Sequence, residues 1–274
     1  MNTVPLLIAA LATAAALLGS LGGIGGATLL VPVLVAIGSE PTAAAPIGLA
    51  TVAAGSLAAS SRQLAEGTVH HRLGITVELA AAAGAVAGAL LSLDVPERLI
   101  AWVLAAAAAV GGISALARRG VRNRPLGILQ AEPAGEWPGT LGGQYRNGDE
   151  IVPYHATHLE RGLPAALLAG VVAGLSGVGG GFLKTPAMSE LMHVPVKVAA
   201  ATTTFTLGIT AAAGLLVYAV QGRIEPIELA GAIAGAVLGG WVGARLQQSL
   251  APTAVRRATG VLLLIVAVVV AVRA

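Results

Sequence analysis

The chain has 274 residues, 56% hydrophobic and only 11% charged, with a formal net charge of +3. A soluble domain carries about a quarter charged residues, so this composition, with a mean hydropathy of +0.84, excludes a water-soluble globule. No cysteine is present, which excludes disulfides and thiolate metal sites; the small basic surplus reads as a topology signal rather than a nucleic-acid patch.

The segment 1–5 has no positive n-region and no cleavage site. It reads as the start of the first membrane element rather than as a removed signal peptide. That element, 3–37, is an apolar run split by Gly22-Gly23-Ile24-Gly25-Gly26. The piece before the glycines makes roughly 24 Å of helix and the piece after it roughly 17 Å. Neither spans a hydrocarbon core of about 30 Å. Two half-helices meeting at a glycine turn within the membrane fit both lengths. Apolar runs at 43–61, 73–92 and 99–117 follow, each close to the roughly 20 residues a spanning helix needs.

A polar stretch, 118–162, comes next. Asn147-Gly148 is a hairpin-turn signal between Gln144-Tyr145-Arg146 and Ile151-Val152-Pro153-Tyr154. The stretch reads either as a small solvent-exposed insertion with a short hairpin or as a plain interdomain linker. The second broken element, 163–192, is split by Ser176-Gly177-Val178-Gly179-Gly180, and runs at 198–220, 227–247 and 254–272 complete the chain.

The two halves match at a spacing of about 154 residues. Pro32 faces Pro186 and Pro41 faces Pro195. With a one-residue slip, Glu66-Gly67-Thr68-Val69 faces Gln221-Gly222-Arg223-Ile224, and Gly84 and Gly88 face Gly239 and Gly243. The expected organisation is therefore a first transmembrane repeat over 1–117, a polar and cytoplasmic insertion over 118–162, and a second repeat over 163–274. The expected fold is an all-α membrane protein of two repeats, each with a broken helix and three transmembrane helices. Letting each broken element return to the side it entered from inverts the second repeat. Twelve of the sixteen basic residues then share one side, Arg98, Arg223 and Arg273 the other, and Lys184 lies within the membrane. That asymmetry follows the positive-inside rule.

Broken backbone at membrane depth is tolerated only where protein or a water-filled cavity covers it. Paired broken helices in inverted repeats place a substrate near the midplane, because a half-helix start offers free N–H donors and partial positive charge. Glycine lets an anion approach that backbone. Gly22, Gly23, Gly25, Gly26 and Thr28, with Ser176, Gly177, Gly179, Gly180 and Gly181, are thus candidate anion-binding residues. The competing reading of these glycines is close helix packing, which is also the preferred reading of the Gly84/Gly88 and Gly239/Gly243 pairs. Lys184, a cation at membrane depth, either offsets substrate charge or snorkels. The hydroxyls of Thr202, Thr203 and Thr204, and more weakly Thr51 and Ser56, either donate to an oxyanion or bond back to their own helices. Glu78 and Glu190 read as solvated groups near the interfaces rather than proton carriers.

Gly22–Gly26 followed by Pro32, Gly177–Gly181 followed by Pro186, the spans at Gly48–Thr51 and Thr202–Thr204, and the turns Gly67-Thr68-Val69 and Gly222-Arg223-Ile224 carry a resemblance. In these features the chain resembles the sulfite exporter TauE/SafE family of membrane proteins; the 118–162 insertion lies outside the likeness. The resemblance implies a transporter, an exporter in the first instance, of sulfite, an organosulfonate or a similar small sulfur-containing anion in a bacterial inner membrane. No Gly-Lys-Ser/Thr phosphate loop is present, and no enzyme activity, metal or cofactor is implied. The expected partners are the anion and the lipid bilayer, not nucleic acid. Other readings are a cation or metal transporter, which wants several carboxylates, histidines or methionines at membrane depth, and a non-transporting membrane scaffold. An intramembrane serine protease built on Gly174-Leu175-Ser176-Gly177 needs a histidine within reach of Ser176.

Overall fold

The structure, a computed structural model, describes residues 4–22, 26–65, 67–117, 135–147, 150–246 and 252–274. It is mostly helical. Helices α1 (Val4–Gly22) and α2 (Ala27–Ala36) are followed by α3 (Pro41–Ala65), α4 (His71–Leu91) and α5 (Glu97–Ala117). Strands β1 (Gly135–Glu136), β2 (Gly142–Asn147) and β3 (Glu150–His155) come next. The second half is α6 (Leu159–Ser176), α7 (Gly181–Pro186) running into a π-helical turn Ala187–Leu191, α8 (Val196–Val220), α9 (Pro226–Leu246) and α10 (Pro252–Arg273).

Among the described residues, α3, α4, α5, α6, α8 and α9 are long and apolar enough to cross a membrane. The sixth run expected from sequence is covered by α10, which is not among these six; α6, expected as half of a broken element, is. The outer surface is apolar: Leu57, Leu79, Leu216, Val220 and Ile227 are between 65% and 81% exposed. The buried set, by contrast, includes Lys184, Glu78 and a series of threonines. Apolar outside and polar inside is the arrangement hydrocarbon selects, since polar groups there need internal partners.

Glycine sets the helix contacts. Cβ atoms added to Gly231, Gly235 and Gly239 of α9 would lie 2.8, 2.3 and 2.1 Å from the carbonyl oxygens of Pro5, Ala9 and Thr13 of α1. The ascending order on both helices means that they run side by side in the same direction. Helices α4 and α6 repeat the pattern: Gly84 and Gly88 meet the carbonyls of Leu167 and Val171, and Gly170 and Gly174 those of Ala81 and Ala85. With no hydrophobic drive between helices in lipid, such small-residue contacts hold them by close packing. In α9 the contact runs through Gly231 and Gly235 as well as Gly239. By contrast, α3 and α8 cross in opposite directions, Gly208 against Ser56 and Gly214 against Leu49. The same holds for α5 and α10, where Gly111 meets Leu263 and Gly260 meets Leu116.

The residues that open α1 and those that follow α2 lie close together, as do those that open α6 and those that follow the π-helical turn. Val4 of α1, Leu34 and Ile37 after the break, Ala43 of α3 and Glu228 of α9 line one cleft of about 320 Å³. At the opposite end Thr157 N–H, just before α6, donates to the Met192 carbonyl at 3.0 Å. The chain reverses between α6 and α7 with φ of +74° at Gly177, +84° at Gly179 and +62° at Gly180, a region that glycine occupies without the usual steric cost.

The polar stretch is more structured than an exposed linker. The sheet has the order β1-β2-β3, both pairs antiparallel. Asn147 pairs with Glu150, so the connection is residues 148–149, one position later than the Asn147-Gly148 signal implies; Gly148 lies outside the described residues, as do 118–134. Tyr145 and Tyr154 are buried with Leu73 and Val77 of α4 and Val198 of α8. Arg72 N–H donates to Glu136 at 3.1 Å and Lys197 Nζ to the Arg146 carbonyl at 3.2 Å. The expectation of a solvent-exposed insertion is thus corrected by its two buried tyrosines, which add a docked β-sheet to an otherwise helical fold.

This hairpin end carries Arg72, Arg146, Arg161 and Lys197, with Arg245 at the end of α9. The far end holds Glu40, Asp94, Glu97, Glu225 and Glu228 with Arg98, Arg223 and Arg273.

Candidate functional site

Midway between the two ends, α4, α7 and α8 enclose a charged cluster. Glu78 stands three residues before the middle of the 21-residue α4, and Thr206 and Thr210 flank the middle of the 25-residue α8. Lys184 of α7 is fully buried and Glu78 is 2% exposed. The Lys184 ammonium donates to Glu78 Oε2, and Thr210 donates to Glu78 Oε1. Lys184 Nζ also lies 3.4 Å from both Thr206 Oγ1 and Thr210 Oγ1. A buried charge is stable only when paired and hydrogen-bonded, and this one meets both conditions.

Two local features build the cluster. The φ values at Gly177, Gly179 and Gly180 turn the chain so that α7 starts inside the protein. On α4, Gly74 leaves room for α8: a Cβ there would lie 2.9 Å from Thr206 Cγ2 and 3.0 Å from Thr202 Cγ2. Thr202, Thr206 and Thr210 are spaced four residues apart and form one face of α8. Their stripe runs from the hairpin end, where Thr202 Oγ1 accepts from the His70 N–H at 2.9 Å, to the ion pair at mid-depth.

The reading of Glu78 as solvated is therefore corrected: it lies on the small-residue face of α4 with Gly74, Ala81 and Ala85, all buried. The small residues flanking Glu78 on that face hint at its burial, but its pairing with Lys184 and the threonines is set only by the packing of α4, α7 and α8. Glu190 is exposed. Lys184 is committed to a carboxylate rather than reaching an interface.

The remaining candidates divide. Gly22 closes α1, while Gly23 and Gly25 lie outside the described residues. Thr28 donates to the Val178 carbonyl at 3.5 Å, so the start of α2 touches the second glycine segment. A Cβ on Gly48 would fall 2.4 Å from the Gly177 carbonyl oxygen, and one on Gly177 2.4 Å from Ala45. Gly179 packs on Val52, Gly180 on the Ala169 carbonyl, Gly26 on Ala16 and Gly181 near Leu207 and Thr203. These glycines make close contacts as well as turns. The hydroxyls of Thr51, Ser176 and Thr204 bond back to the carbonyls of Ile47, Val172 and Ala200 at 2.8, 2.6 and 2.9 Å. Thr203 donates to Met188 Sδ at 3.5 Å, and Ser56 to the Ala53 carbonyl at 3.1 Å.

Ser176 has a backbone partner, and the histidines gather at the hairpin end, His70 and His71 around Glu136 and His158 beside His193. His70 caps α4 by accepting from Leu73 N–H at Nδ1 (3.2 Å), while Nε2 faces the Gly142 carbonyl at 3.1 Å. Burial holds its imidazole below the ordinary histidine range, against the opposing pull of Glu136. Among the described residues, no three His, Cys, Asp or Glu side chains are grouped so as to hold a metal ion.

No solved structure matches the chain. The chain is similar to the "Probable membrane transporter protein YunE" of Bacillus subtilis (strain 168), with 33% identity over 89 residues, 32% of this chain and 33% of that relative. The alignment thus spans about a third of the relative's length. The model of the family described as sulfite exporter TauE/SafE matches residues 7–270. With helices that suit a bilayer, an apolar exterior and a family match along nearly its whole length, the chain is an integral membrane protein and belongs to the sulfite exporter TauE/SafE family of membrane transporters.

Proposed function

We propose that the protein is a secondary transporter, working as an exporter, of a small sulfur oxyanion or sulfonate bound at mid-depth beside Lys184, where the two glycine-broken elements meet. The observation that carries this reading is a fully buried lysine at the centre of the helix bundle, since ionisable groups at membrane depth mark substrate or ion pathways. The contact from Thr28 to Val178 supports a site shared by the two halves. The antiparallel crossings of α3 with α8 and of α5 with α10, and the exchanged pairs α1–α9 and α4–α6, support an inverted-repeat architecture. Basic residues at the hairpin end support a cytoplasmic position for that end in a bacterial inner membrane.

A cation route is the second reading, favoured by Glu40 and Glu228 in the far-end cleft. Thermal stabilisation of the purified protein separates the two, because a ligand that binds only the folded state raises stability by roughly 2.7 kcal/mol at a hundredfold excess over Kd. The panel is sulfite, sulfonates, size-matched carboxylates and divalent cations. The expected outcome is stabilisation by sulfonates or sulfite. Stabilisation by cations alone transfers the reading to the second class.

A further inference from the structure

The lysine that would receive an anion is already held by a carboxylate. Glu78 neutralises Lys184, so an anion arriving at the ammonium meets a second negative charge in direct contact with it. In a low-dielectric interior that repulsion is severe. Adding a proton to Glu78 removes it and leaves one positive charge, with the Thr206 hydroxyl beside it.

We propose, building on the anion-transport reading, that Glu78 is a proton-binding site which couples anion binding at Lys184 to the uptake of one proton. The proton comes from solvent and goes onto Glu78 Oε2, the oxygen that holds the ammonium in the resting state. No bond other than the O–H is made or broken. Anion and proton then occupy the cluster together, so each raises the affinity for the other by the same factor.

The surroundings of Glu78 single it out. Among the described residues, Lys184 is the one charged side chain facing it from α7. Along the same stretch α8 presents Thr206 and Thr210, and α6 presents Ala166 and Gly170. The hairpin brings Tyr145 and Tyr154 against Leu73 and Val77, and Glu136 beside His70 at the start of α4. The threonine stripe on α8 extends from the cluster toward the hairpin end, where Thr202 accepts from the backbone N–H of His70.

The device is carried by one half only. At the repeat spacing, Lys184, Thr206 and Thr210 correspond to Leu30, Val52 and Ser56. A single coupling site in a two-fold arrangement gives a fixed stoichiometry of one proton per anion.

The test uses the purified full chain and methanesulfonate, which stays ionised throughout the titration. Binding to the wild type is expected to tighten by up to about tenfold per pH unit as pH falls, the limit for one linked proton. Glu78→Gln, a mimic of the protonated acid, is expected to bind without pH dependence, and Lys184→Met to lose binding at every pH. Should Glu78→Gln fail to fold, proton uptake by the wild type in weak buffer serves instead, with one proton expected per methanesulfonate bound. Binding that ignores pH, binds no proton, or keeps its pH dependence in Glu78→Gln overturns the coupling and leaves the anion reading standing. Absence of binding by both wild type and Glu78→Gln at every pH overturns the anion reading and the coupling with it.

Discussion

At the scale of single residues the Lys184–Glu78 pair dominates, because removing one member of a buried pair leaves the other charge uncompensated. That costs about 3–5 kcal/mol. Glu78→Ala and Lys184→Met should each lower the melting temperature sharply, whereas the double variant Glu78→Leu/Lys184→Met should recover most of the loss. A thermal scan in detergent checks this, and equal losses in single and double variants would contradict an isolated pair. Gly180→Val forces a branched residue to φ +62° and drives its Cβ against the Ala169 carbonyl. It should destabilise by several kcal/mol, from the strain of that conformation and from over-packing. Lys184 was legible in the sequence as an isolated cation in an apolar run. Its partner was not, because Glu78 sits 106 residues away and pairing across that distance is a property of the folded bundle. Thr206 and Thr210 were hidden for the same reason: the adjacent Thr202-Thr203-Thr204 draws the eye, yet one turn of helix spacing decides which hydroxyls face inward.

At the scale of elements the glycine-lined contacts make a sharp prediction. Gly84→Leu would place a Cβ about 2.1 Å from the Leu167 carbonyl, and the separation of α4 and α6 that follows should cost about 1–3 kcal/mol through over-packing. The same substitution at Gly55, where an added Cβ meets nothing within 4 Å, should be nearly silent in the same thermal scan. Docking of the hairpin should respond to acid. The folded pKa of His70 lies below the unfolded value of about 6.5, so the unfolded state takes up more protons in that window. The stabilisation from its cap is complete above that value and falls away as pH drops below it. Emission from Trp137, with Trp102 and Trp241 replaced by Phe, should report the loosening; His70→Asn, which keeps a cap but not the titration, should flatten the response. Five of the six expected spans, and the pairing of β2 with β3, were legible in run lengths and turn residues. The burial of the sheet was not, since nothing local to Tyr145 and Tyr154 says that α4 and α8 will cover them.

At the scale of the whole molecule the two ends differ in charge, which supports the proposed sidedness. The chain has no cysteine, so single-cysteine variants label cleanly. His155→Cys at the hairpin end should resist a membrane-impermeant maleimide in intact cells, and Asp94→Cys at the far end should react; the reverse pattern would invert the assignment. The mostly helical, membrane-spanning character was legible in the composition and in the lengths of the apolar runs. What the runs could not show is that each half lends its helices to the other. That exchange bears on how the protein is made. The glycine-facing partner of α1 is α9, more than 200 residues further along the chain. At about 5–20 residues per second, α1 waits on the order of ten to forty seconds before the surface it fits has been synthesised. During that interval the α1 carbonyls that α9 will cover stay without their glycine partners. Two fragments cut within 118–134 should therefore assemble when synthesised together, and neither should accumulate when made alone.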